Sequence, residues 1–358
     1  MLHWLRLLAI LLTLPAFCAG CGKKPAKTDD PAAPAVSAAA AAVAAAKTTP
    51  KGPPLKIAYS DWPGWVAWDI AVRKGWFKEA GVDVELVWFE YVPSMEAFTA
   101  GKVDAVCMTN GDSLVTGSSG APSRAILIND YSNGNDMVVA KPGIKSVAEL
   151  KGKKVGVEVG FVSHLLLLNA LKSAGLTQKD ITIVNVPTDQ TPQTLKSGKV
   201  DAIVAWQPNS GQALKELPGS SPIFTSANVP GVIYDVLAVN PKSLAERRED
   251  WLKVTRVWMK IADFVKDEKN HGEAATIMGA RVSLSPDEYR KLMGGTFFLD
   301  LKGNLKAFAK ADTLESIYGS SKVVDDFQTQ NKVYKAPVKY ESFLDPSLVQ
   351  ELGRVAAL

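Results

Sequence analysis

Acidic and aromatic side chains cluster in this sequence at the points where predicted strands end. The acidic residues are Asp61, Glu90, Asp112, Asp136 and Glu158. The aromatic residues beside them are Trp62, Trp65, Tyr91, Phe161 and Trp206. The sequence has no arginine or lysine near these positions. Carboxylates next to indole faces suit a small, flat nitrogenous cation, because guanidinium donates paired hydrogen bonds to carboxylates and stacks over aromatic rings.

Several of these residues also have a structural interpretation. Asp61 and Asp112 could be the N-caps of the helices that follow them. Glu90 could be solvated at a strand end, Asp136 could stabilise its turn, and Trp65 could belong to the core. We expect Asn110 to orient a ligand through neutral hydrogen bonds. The predicted ligand-binding residues are Asp61, Trp62, Trp65, Glu90, Asn110, Asp112, Asp136, Glu158, Phe161 and Trp206.

A repeated six-residue motif predicts the elements that hold these side chains in place. GKVDAV at 101–106 recurs as GKVDAI at 198–203, and each copy closes a strand–helix–strand–helix–strand pattern, at 56–107 and 153–205. Two similar α/β units predict two lobes that face a cleft. Small ligands bind at the carboxyl ends of strands in open α/β sheets, so the cleft is the expected binding site.

The rest of the body predicts a chain that crosses twice between the lobes. Strands are expected at 125–129, 137–140 and 232–239, with a polar loop at 130–136 between the first two. Beyond Pro241 the pattern is mostly helical and includes a predicted helix at 307–318. We expect lobe 1 to comprise 55–130 and 238–358, and lobe 2 to comprise 131–237. The two crossings form a hinge that closes on ligand.

The first 54 residues predict export and anchoring. Residues 1–20 contain a short apolar run of signal-peptide length, and Cys21 follows small residues in a pattern that resembles a bacterial lipobox. The alternative is an ordinary cleaved secretory signal. Residues 21–54 are rich in Ala, Pro and Lys and predict a disordered tether. Lipidation of Cys21 would hold the protein in the cell envelope, on the periplasmic side of a membrane.

Composition excludes several classes of function. Removing residues 1–54 takes away six of the 41 basic residues and two of the 37 acidic ones, which leaves 35 of each. A balanced body with no basic stripe argues against nucleic-acid binding. Cys107 is the only cysteine of the body and lies in an apolar strand, so we expect a small buried side chain. No pair of histidines has metal-ligand spacing, and neither a metal nor a cofactor is predicted.

Five stretches of the sequence carry a family resemblance over about residues 55–325. They are KIAY at 56–59, RKGWFKEAGV at 73–82, GKVDA at 101–105, LKGKKVG at 150–156 and VDAIVAWQP at 200–208. They resemble the nitrate/sulfonate/taurine-type substrate-binding proteins of bacterial ABC importers, including a guanidine- or urea-related branch. The resemblance implies a type II periplasmic-binding fold, in which two α/β lobes surround a central cleft and a two-strand hinge joins them.

The same resemblance implies a monomeric binding protein, not an enzyme, that delivers a small solute to a membrane permease. The chain has no Walker motif, so the ATPase of the importer is another chain. The carboxylates predict guanidinium as solute. The alternatives are urea, a sulfonate, taurine or nitrate, and a sensor or structural lipoprotein. A thiamine-pyrimidine-synthase-like enzyme is disfavoured, because those enzymes carry a cysteine-rich motif and this body has one cysteine.

Overall fold

Two β-sheets and the helices packed on them make up residues 52–356, the part of the chain that the computed structural model describes. The strands are β1 Leu55–Tyr59, β2 Val84–Trp88, β3 Ala105–Thr109, β4 Arg124–Ser132, β5 Met137–Ala140, β6 Lys154–Val157, β7 Thr182–Asn185, β8 Ala202–Ala205, β9 Ser221–Thr225, β10 Tyr234–Val239 and β11 Thr296–Phe298. The predictions for the signal peptide, for Cys21 and for nearly all of the tether lie outside the described residues.

Helices follow most of the strands and dominate the last third of the chain. They are α1 Pro63–Val66, α2 Trp68–Lys74, α3 Trp76–Glu79, α4 Tyr91–Thr99, α5 Asn110–Ser118, α6 Val162–Ser173, α7 Thr191–Lys196, α8 Asn209–Glu216, α9 Pro241–Glu246, α10 Arg248–Lys266, α11 His271–Arg281, α12 Pro286–Met293, α13 Leu301–Ala307, α14 Ile317–Gln330 and α15 Ser347–Ala356. Within residues 52–356 none of these helices is both long and apolar enough to cross a membrane.

The sheet topology confirms the predicted fold class of two α/β lobes with a hinge. The strand orders are β11-β4-β10-β3-β1-β2 in one sheet and β7-β6-β8-β5-β9 in the other. Each sheet contains one parallel trio, with β1 between β2 and β3 and with β6 between β7 and β8. An antiparallel strand flanks each trio, β10 beside β3 and β5 beside β8. Because β4 and β10 lie in one sheet and β5 and β9 in the other, the chain crosses twice.

The two crossings, 133–136 and 226–233, are hydrogen-bonded to each other. The hydroxyls of Ser132 and Ser226 lie 2.8 Å apart, and the backbone N–H of Gly134 donates to Ser226 Oγ at 2.7 Å. Gly134 has a φ of 117°, a conformation that residues with a Cβ rarely adopt. The hinge is therefore a paired, polar segment.

The aspartate of the repeated motif has the same structural role in both sheets. Asp104 accepts the backbone N–H of Lys56 at 2.9 Å, and Asp201 accepts the backbone N–H of Lys154 at 2.8 Å. In each lobe this aspartate lies just before the third strand of the repeat, β3 or β8. Its carboxylate fixes the start of the neighbouring first strand, β1 or β6. The repetition seen in the sequence thus builds equivalent corners of the two lobes.

Tryptophans fill the core between the first sheet and its helices. Trp68 is fully buried, and its ring lies 4.8 Å from that of Trp258 and 6.0 Å from that of Phe77. Trp68 therefore belongs to the core. The predicted helix at 307–318 is wrong, because α13 ends at Ala307 and α14 begins at Ile317 after a cap by Ser316.

Strand β4 is longer than the sequence predicts. It continues through Ser132, so Asp130 lies in a strand, whereas the predicted polar loop begins at that residue. The extension forms because β10 pairs with β4 on one side and β11 pairs with residues 130–132 on the other. Two neighbouring strands thus satisfy backbone groups that a loop would expose.

Candidate functional site

The strand ends of both sheets meet at a cavity of about 390 Å³, which we call the outer cavity. Its acidic lining residues are Asp61, Glu90, Glu96, Glu158 and Asp189. Its aromatic lining residues are Tyr91, Phe161 and Trp206. Of the residues that the structure describes, no lysine or arginine lines this cavity. Its electrostatic potential is therefore negative, which favours a cation.

Asp61 joins the two lobes across the outer cavity. It follows β1, and its carboxylate accepts the indole N–H of Trp206 at 3.0 Å and the side-chain amide of Asn209 at 2.6 Å. Burial raises the pKa of Asp61, and the hydrogen bonds from Trp206 and Asn209 only partly oppose this. No side-chain cap hydrogen bond from Asp61 to the next helix is formed, and Trp62 occupies the N-cap position of α1. The carboxylate of Asp61 therefore binds side chains of the opposite lobe and does not cap a helix.

Glu158 and Glu90 carry the same charge on opposite sides of the outer cavity. Glu158 follows β6 and accepts a hydrogen bond from the hydroxyl of Thr188 at 3.1 Å. Burial raises the pKa of Glu158 to about 7, and neighbouring aspartates add to the effect. Burial, and then repulsion from Asp61 and Asp189, raises the pKa of the more exposed Glu90. A cation in the cavity would relieve this mutual repulsion.

A second, much smaller space of about 10 Å³ lies deeper between the lobes, and we call it the inner chamber. Its lining residues are Trp62, Trp65, Tyr91, Thr109, Asp136, Val162, Trp206, Ile233 and Asp235. It shares Tyr91 and Trp206 with the outer cavity, so these two rings separate the spaces. A volume of about 10–15 Å³ on this measure holds one water-sized group.

Stacked rings form the wall between the two spaces. Tyr91 lies 5.2 Å from Trp65 in a stacked arrangement and 5.1 Å from Trp206 in an edge-to-face one. Trp62 meets Trp65 edge-on at 6.4 Å. These separations are typical of favourable aromatic pairs. Four aromatic rings thus lie within one small region between the lobes.

Asp112 lies behind Tyr91 and bonds to both lobes. Its carboxylate accepts the phenol O–H of Tyr91 at 2.6 Å and the backbone N–H of Val162, at the start of α6, at 3.3 Å. The N-cap of α5 is Thr109, whose hydroxyl accepts the N–H of Asp112, so the alternative role of Asp112 as N-cap is wrong. Burial raises the pKa of Asp112 to about 6 despite these hydrogen bonds.

Three further aspartates are buried beside the inner chamber. Asp130 accepts the indole N–H of Trp62 at 3.0 Å. Asp136 and Asp235 are only 3% and 2% exposed, and each has a carboxylate oxygen without a hydrogen-bond partner among residues 52–356. Burial raises the pKa of Asp136 to about 7 and that of Asp235 well above its ordinary range. Gly64 packs so closely on this group that a Cβ there would lie 1.7 Å from Asp130 Oδ2.

The structure places the predicted site residues in three groups. Asp61, Glu90, Glu158, Phe161 and Trp206 line the outer cavity, and Trp62, Trp65, Asp136 and again Trp206 line the inner chamber. Asp112 lies immediately behind them. Asn110 is not brought to either space, because its amide donates to Ser320 Oγ at 3.0 Å and its oxygen accepts the N–H of Tyr234.

Sequence reasoning missed Asp130, Asp235 and Asn209. Asp235 had a usable signal, since it is a lone acid inside the apolar run of β10. Asp130 ends an apolar run in the same way but was placed in a loop. Asn209 follows Trp206 by three residues and gave no signal of its own. In the part of the chain that the structure describes, no three His, Cys, Asp or Glu side chains are arranged to hold a metal ion.

Comparison with known proteins gives a consistent family. A family model described as NMT1-like matches residues 48–279. A candidate binding protein from Brucella abortus is 29% identical over 202 residues, which are 53% of this chain and 62% of that protein. The chain thus spans about three fifths of the length of the curated relatives that it first matches.

Two solved structures show the same fold at low sequence identity. The alkanesulfonate-binding protein of Xanthomonas axonopodis pv. citri, bound to MOPS, matches with a TM-score of 0.68 and 15% identity over 82% of this chain and 99% of that chain. The periplasmic nitrate-binding protein of Synechocystis matches with a TM-score of 0.70 and 12% identity over 86% of this chain and 90% of that chain.

Proposed function

Since this chain belongs to the NMT1-like family, we propose that it is the solute-binding protein of an ABC importer and that it captures a small planar nitrogenous cation, such as guanidinium, between its lobes. Relatives named for binding, including the taurine-binding periplasmic protein of Escherichia coli, support the general role. Its partners are then a permease and an ATPase, and its place is the periplasmic side of a membrane. We assign residues 55–130 and 238–358 to lobe 1 and residues 131–237 to lobe 2, and we move the boundaries to the crossings at 133–136 and 226–233, because β4 and β10 belong to the sheet of lobe 1.

The charge of the two spaces is the observation that carries the choice of a cation. Carboxylates line both the outer cavity and the inner chamber, and no described lysine or arginine lines either one. A sulfonate or nitrate needs positive or N–H donor groups around it. In a partly desolvated cleft, carboxylates would repel such an anion.

The contacts between the lobes support a site that closes around its ligand. Asp61 of lobe 1 binds Trp206 and Asn209 of lobe 2, and the backbone N–H of Val162 in lobe 2 donates to Asp112. These contacts surround the rings of Tyr91 and Trp206. Closure would exclude water from the ligand and strengthen each of its hydrogen bonds to a carboxylate.

Isothermal titration calorimetry at a fixed pH tests the choice of solute. We expect guanidinium to bind below about 1 mM, which corresponds to about 4 kcal/mol, and taurine and nitrate to bind more weakly. Sodium and ammonium chloride are the controls for ionic strength and for a cation that is not planar. Tight binding of taurine or nitrate with no binding of guanidinium would contradict the proposal.

Urea is the second candidate, and one observation favours it. The indole N–H of Trp65 is buried at the inner chamber and has no acceptor among the described residues. The carbonyl of urea could accept this hydrogen bond, whereas guanidinium has no acceptor to offer. A Trp65→Phe variant keeps an aromatic ring, although a smaller one, and removes the donor, so it should weaken urea binding more than guanidinium binding.

A binding role is favoured over nucleophilic catalysis by the state of Cys107. The thiol is completely buried in β3, and burial raises its pKa above its usual range. A buried thiol in apolar surroundings is inert as a nucleophile. Prolonged incubation with any solute found to bind should therefore return it unchanged.

Anchoring through Cys21 is a separate part of the proposal. The support is the lipobox-like sequence alone. Metabolic labelling with a clickable fatty acid should mark the wild-type protein and not the Cys21→Ala variant. An unlabelled wild type would indicate an ordinary secretory signal.

A further inference from the structure

Two aspartates face each other on the strands that lead into the hinge. Asp130 of β4 and Asp235 of β10 are opposite partners in the strand register. Both are almost completely buried, and as opposite partners of an antiparallel pair their side chains lie on the same face of the sheet. Two carboxylates can share a hydrogen bond only when one of them holds a proton. Asp235 also lines the inner chamber, so this pair is in contact with the proposed solute site.

The titratable groups around the pair are acidic on every side. Asp112 approaches from α5 and Asp136 from the hinge, and both add negative charge to Asp235. Tyr91 of α4 and Tyr289 of α12 are phenols whose pKa values are raised first by burial. Asp112 and Asp235 add to the effect on Tyr91, and Asp130 is among the aspartates that add to the effect on Tyr289. The buried thiol of Cys107 also lies close enough for the pair to raise its pKa.

Buried carboxylates without a cation stay protonated near neutral pH. Transferring several ionised carboxyl groups into this interior would cost many kcal/mol, so proteins neutralise such groups instead. In the solute-free protein the neutralising charge must be protons, because no described lysine or arginine lines the inner chamber. A solute cation that places one amino group in this water-sized space would supply the same charge.

We propose that Asp235, paired with Asp130, selects the charge of the solute by exchanging a proton for it. The pair holds a proton in the solute-free protein. When a monocation binds with one amino group beside Asp235, that proton leaves for the solvent, and the net charge of the aspartate cluster with its ligand is unchanged. A neutral solute offers no charge in exchange, so it binds without proton release. This inference rests on the proposed function of the same site.

The exchange predicts opposite pH behaviour for two nearly isosteric ligands. The affinity for guanidinium should rise with pH, by up to about tenfold per pH unit, while the pair is still protonated. The affinity for urea should stay flat or fall over the same range, because ionisation of the empty cluster opposes closure. The ratio of the two affinities therefore measures the exchange directly.

Calorimetry of the whole protein in two buffers tests the exchange. At about pH 7, guanidinium chloride is titrated in phosphate and in Tris, whose heats of ionisation differ, and the difference in binding heat gives the number of protons released. We expect about one proton per guanidinium for the wild type and none for urea. Guanidinium binding without proton release would overturn the exchange and leave the proposed function standing. Absence of guanidinium binding would overturn both.

Two variants and one spectrum identify the group that loses the proton. Asp235→Asn should abolish most of the proton release and lower the preference for guanidinium over urea at least tenfold. Asp201→Asn, distant from the cleft, should leave both unchanged. A variant that still releases one proton would assign the exchange elsewhere and overturn the role of Asp235. If Asp235→Asn does not fold, infrared difference spectra of the wild type decide, because guanidinium should remove a protonated-carboxyl carbonyl band.

Discussion

The two ends of the parallel trios use aspartate in opposite ways. At the end of the trios away from the cleft, which we call the rear, Asp104 and Asp201 each accept a backbone N–H of the neighbouring strand. Asp201 also binds Lys141. At the cleft, Asp136 and Asp235 are buried with too few partners among residues 52–356. The rear residues are almost identical in the two halves, and the cleft residues are not.

The pKa shifts of the two groups of aspartates differ in sign, and this distinguishes structural aspartates from candidate ligand-binding ones. Burial raises the pKa of Asp201, but the hydrogen bonds from Lys141 and from the N–H of Lys154 outweigh it, and the net pKa is lowered. At the cleft burial dominates, and the pKa of Asp136 is raised to about 7. A carboxylate that is satisfied by its own protein stabilises the fold. One that is not satisfied destabilises the fold and is available to a ligand.

The largest expected effect is a gain of stability on removing a cleft charge. Burial raises the pKa of Asp235 in the folded protein, so ionising this carboxyl group destabilises the fold. The cost is absent below the unfolded pKa of about 4 and grows as pH rises towards the folded value. Asp235→Asn should therefore raise the free energy of unfolding at pH 8 and change it little at pH 4.

Differential scanning calorimetry without solute measures this gain, since urea and guanidinium are candidate ligands and cannot serve as denaturants. The melting temperature of the variant should exceed that of the wild type by about 5 °C at pH 8. A lower melting temperature at pH 8 would mean that the carboxylate of Asp235 stabilises the fold, and the contrast with Asp201 would disappear.

Removing a rear carboxylate should have the opposite sign. Asp104→Ala and Asp201→Ala each lose a charged acceptor of a backbone N–H and should lower the free energy of unfolding by about 2 kcal/mol. Asp201 has a lowered folded pKa, so its contribution is present above the unfolded pKa of about 4 and is lost as pH falls through the folded value. Solute affinity should not change, as calorimetry can check.

The contact of Asp61 with lobe 2 should have a moderate effect on binding. Asp61→Ala and Trp206→Ala each remove one side of the bridge and a surface of the outer cavity, and each should weaken guanidinium binding at least tenfold, or about 1.4 kcal/mol. Thermal unfolding of the same variants separates a loss of affinity from a loss of fold. Unchanged affinity in both would exclude the pair from the site.

The smallest effect belongs to an ion pair on the surface between the lobes. Lys215 of α8 and Glu288 of α12 are 3.0 Å apart, but both side chains are largely exposed. Exposed pairs contribute little and are screened by salt. Lys215→Ala should change guanidinium affinity less than about threefold in calorimetry at 0.15 M salt. A larger loss would show that the rim of the cleft also controls closure.

The sequence predicted the elements with strong local signals. The repeated GKVDA motif and the alternation of strands and helices predicted both parallel trios. Most cleft residues followed from the rule that ligands bind at strand ends. The prediction failed where pairing between distant segments decided the structure. Asp130 entered a strand because β10 and β11 flank it, and nothing local to residues 124–132 indicates those neighbours.

Residues between a strand and the following helix were the hardest to place. Asp61 and Asn110 both follow strands and precede helices, so the sequence treats them alike. The structure separates them through partners far along the chain, Trp206 for Asp61 and Ser320 for Asn110. Spacing along the chain cannot reveal such partners, because Trp206 comes from the second lobe and Ser320 comes from a helix near the end of the chain.

The hydrogen bond from the Trp206 indole to Asp61 gives the protein an optical reporter of its own. Separation of the lobes would expose this indole to water and break its bond to a charged group, and the emission of the ring would shift to longer wavelength. The chain has nine tryptophans, so subtracting the spectrum of Trp206→Phe isolates this one. Opening and closing could then be followed in milliseconds, without any attached dye.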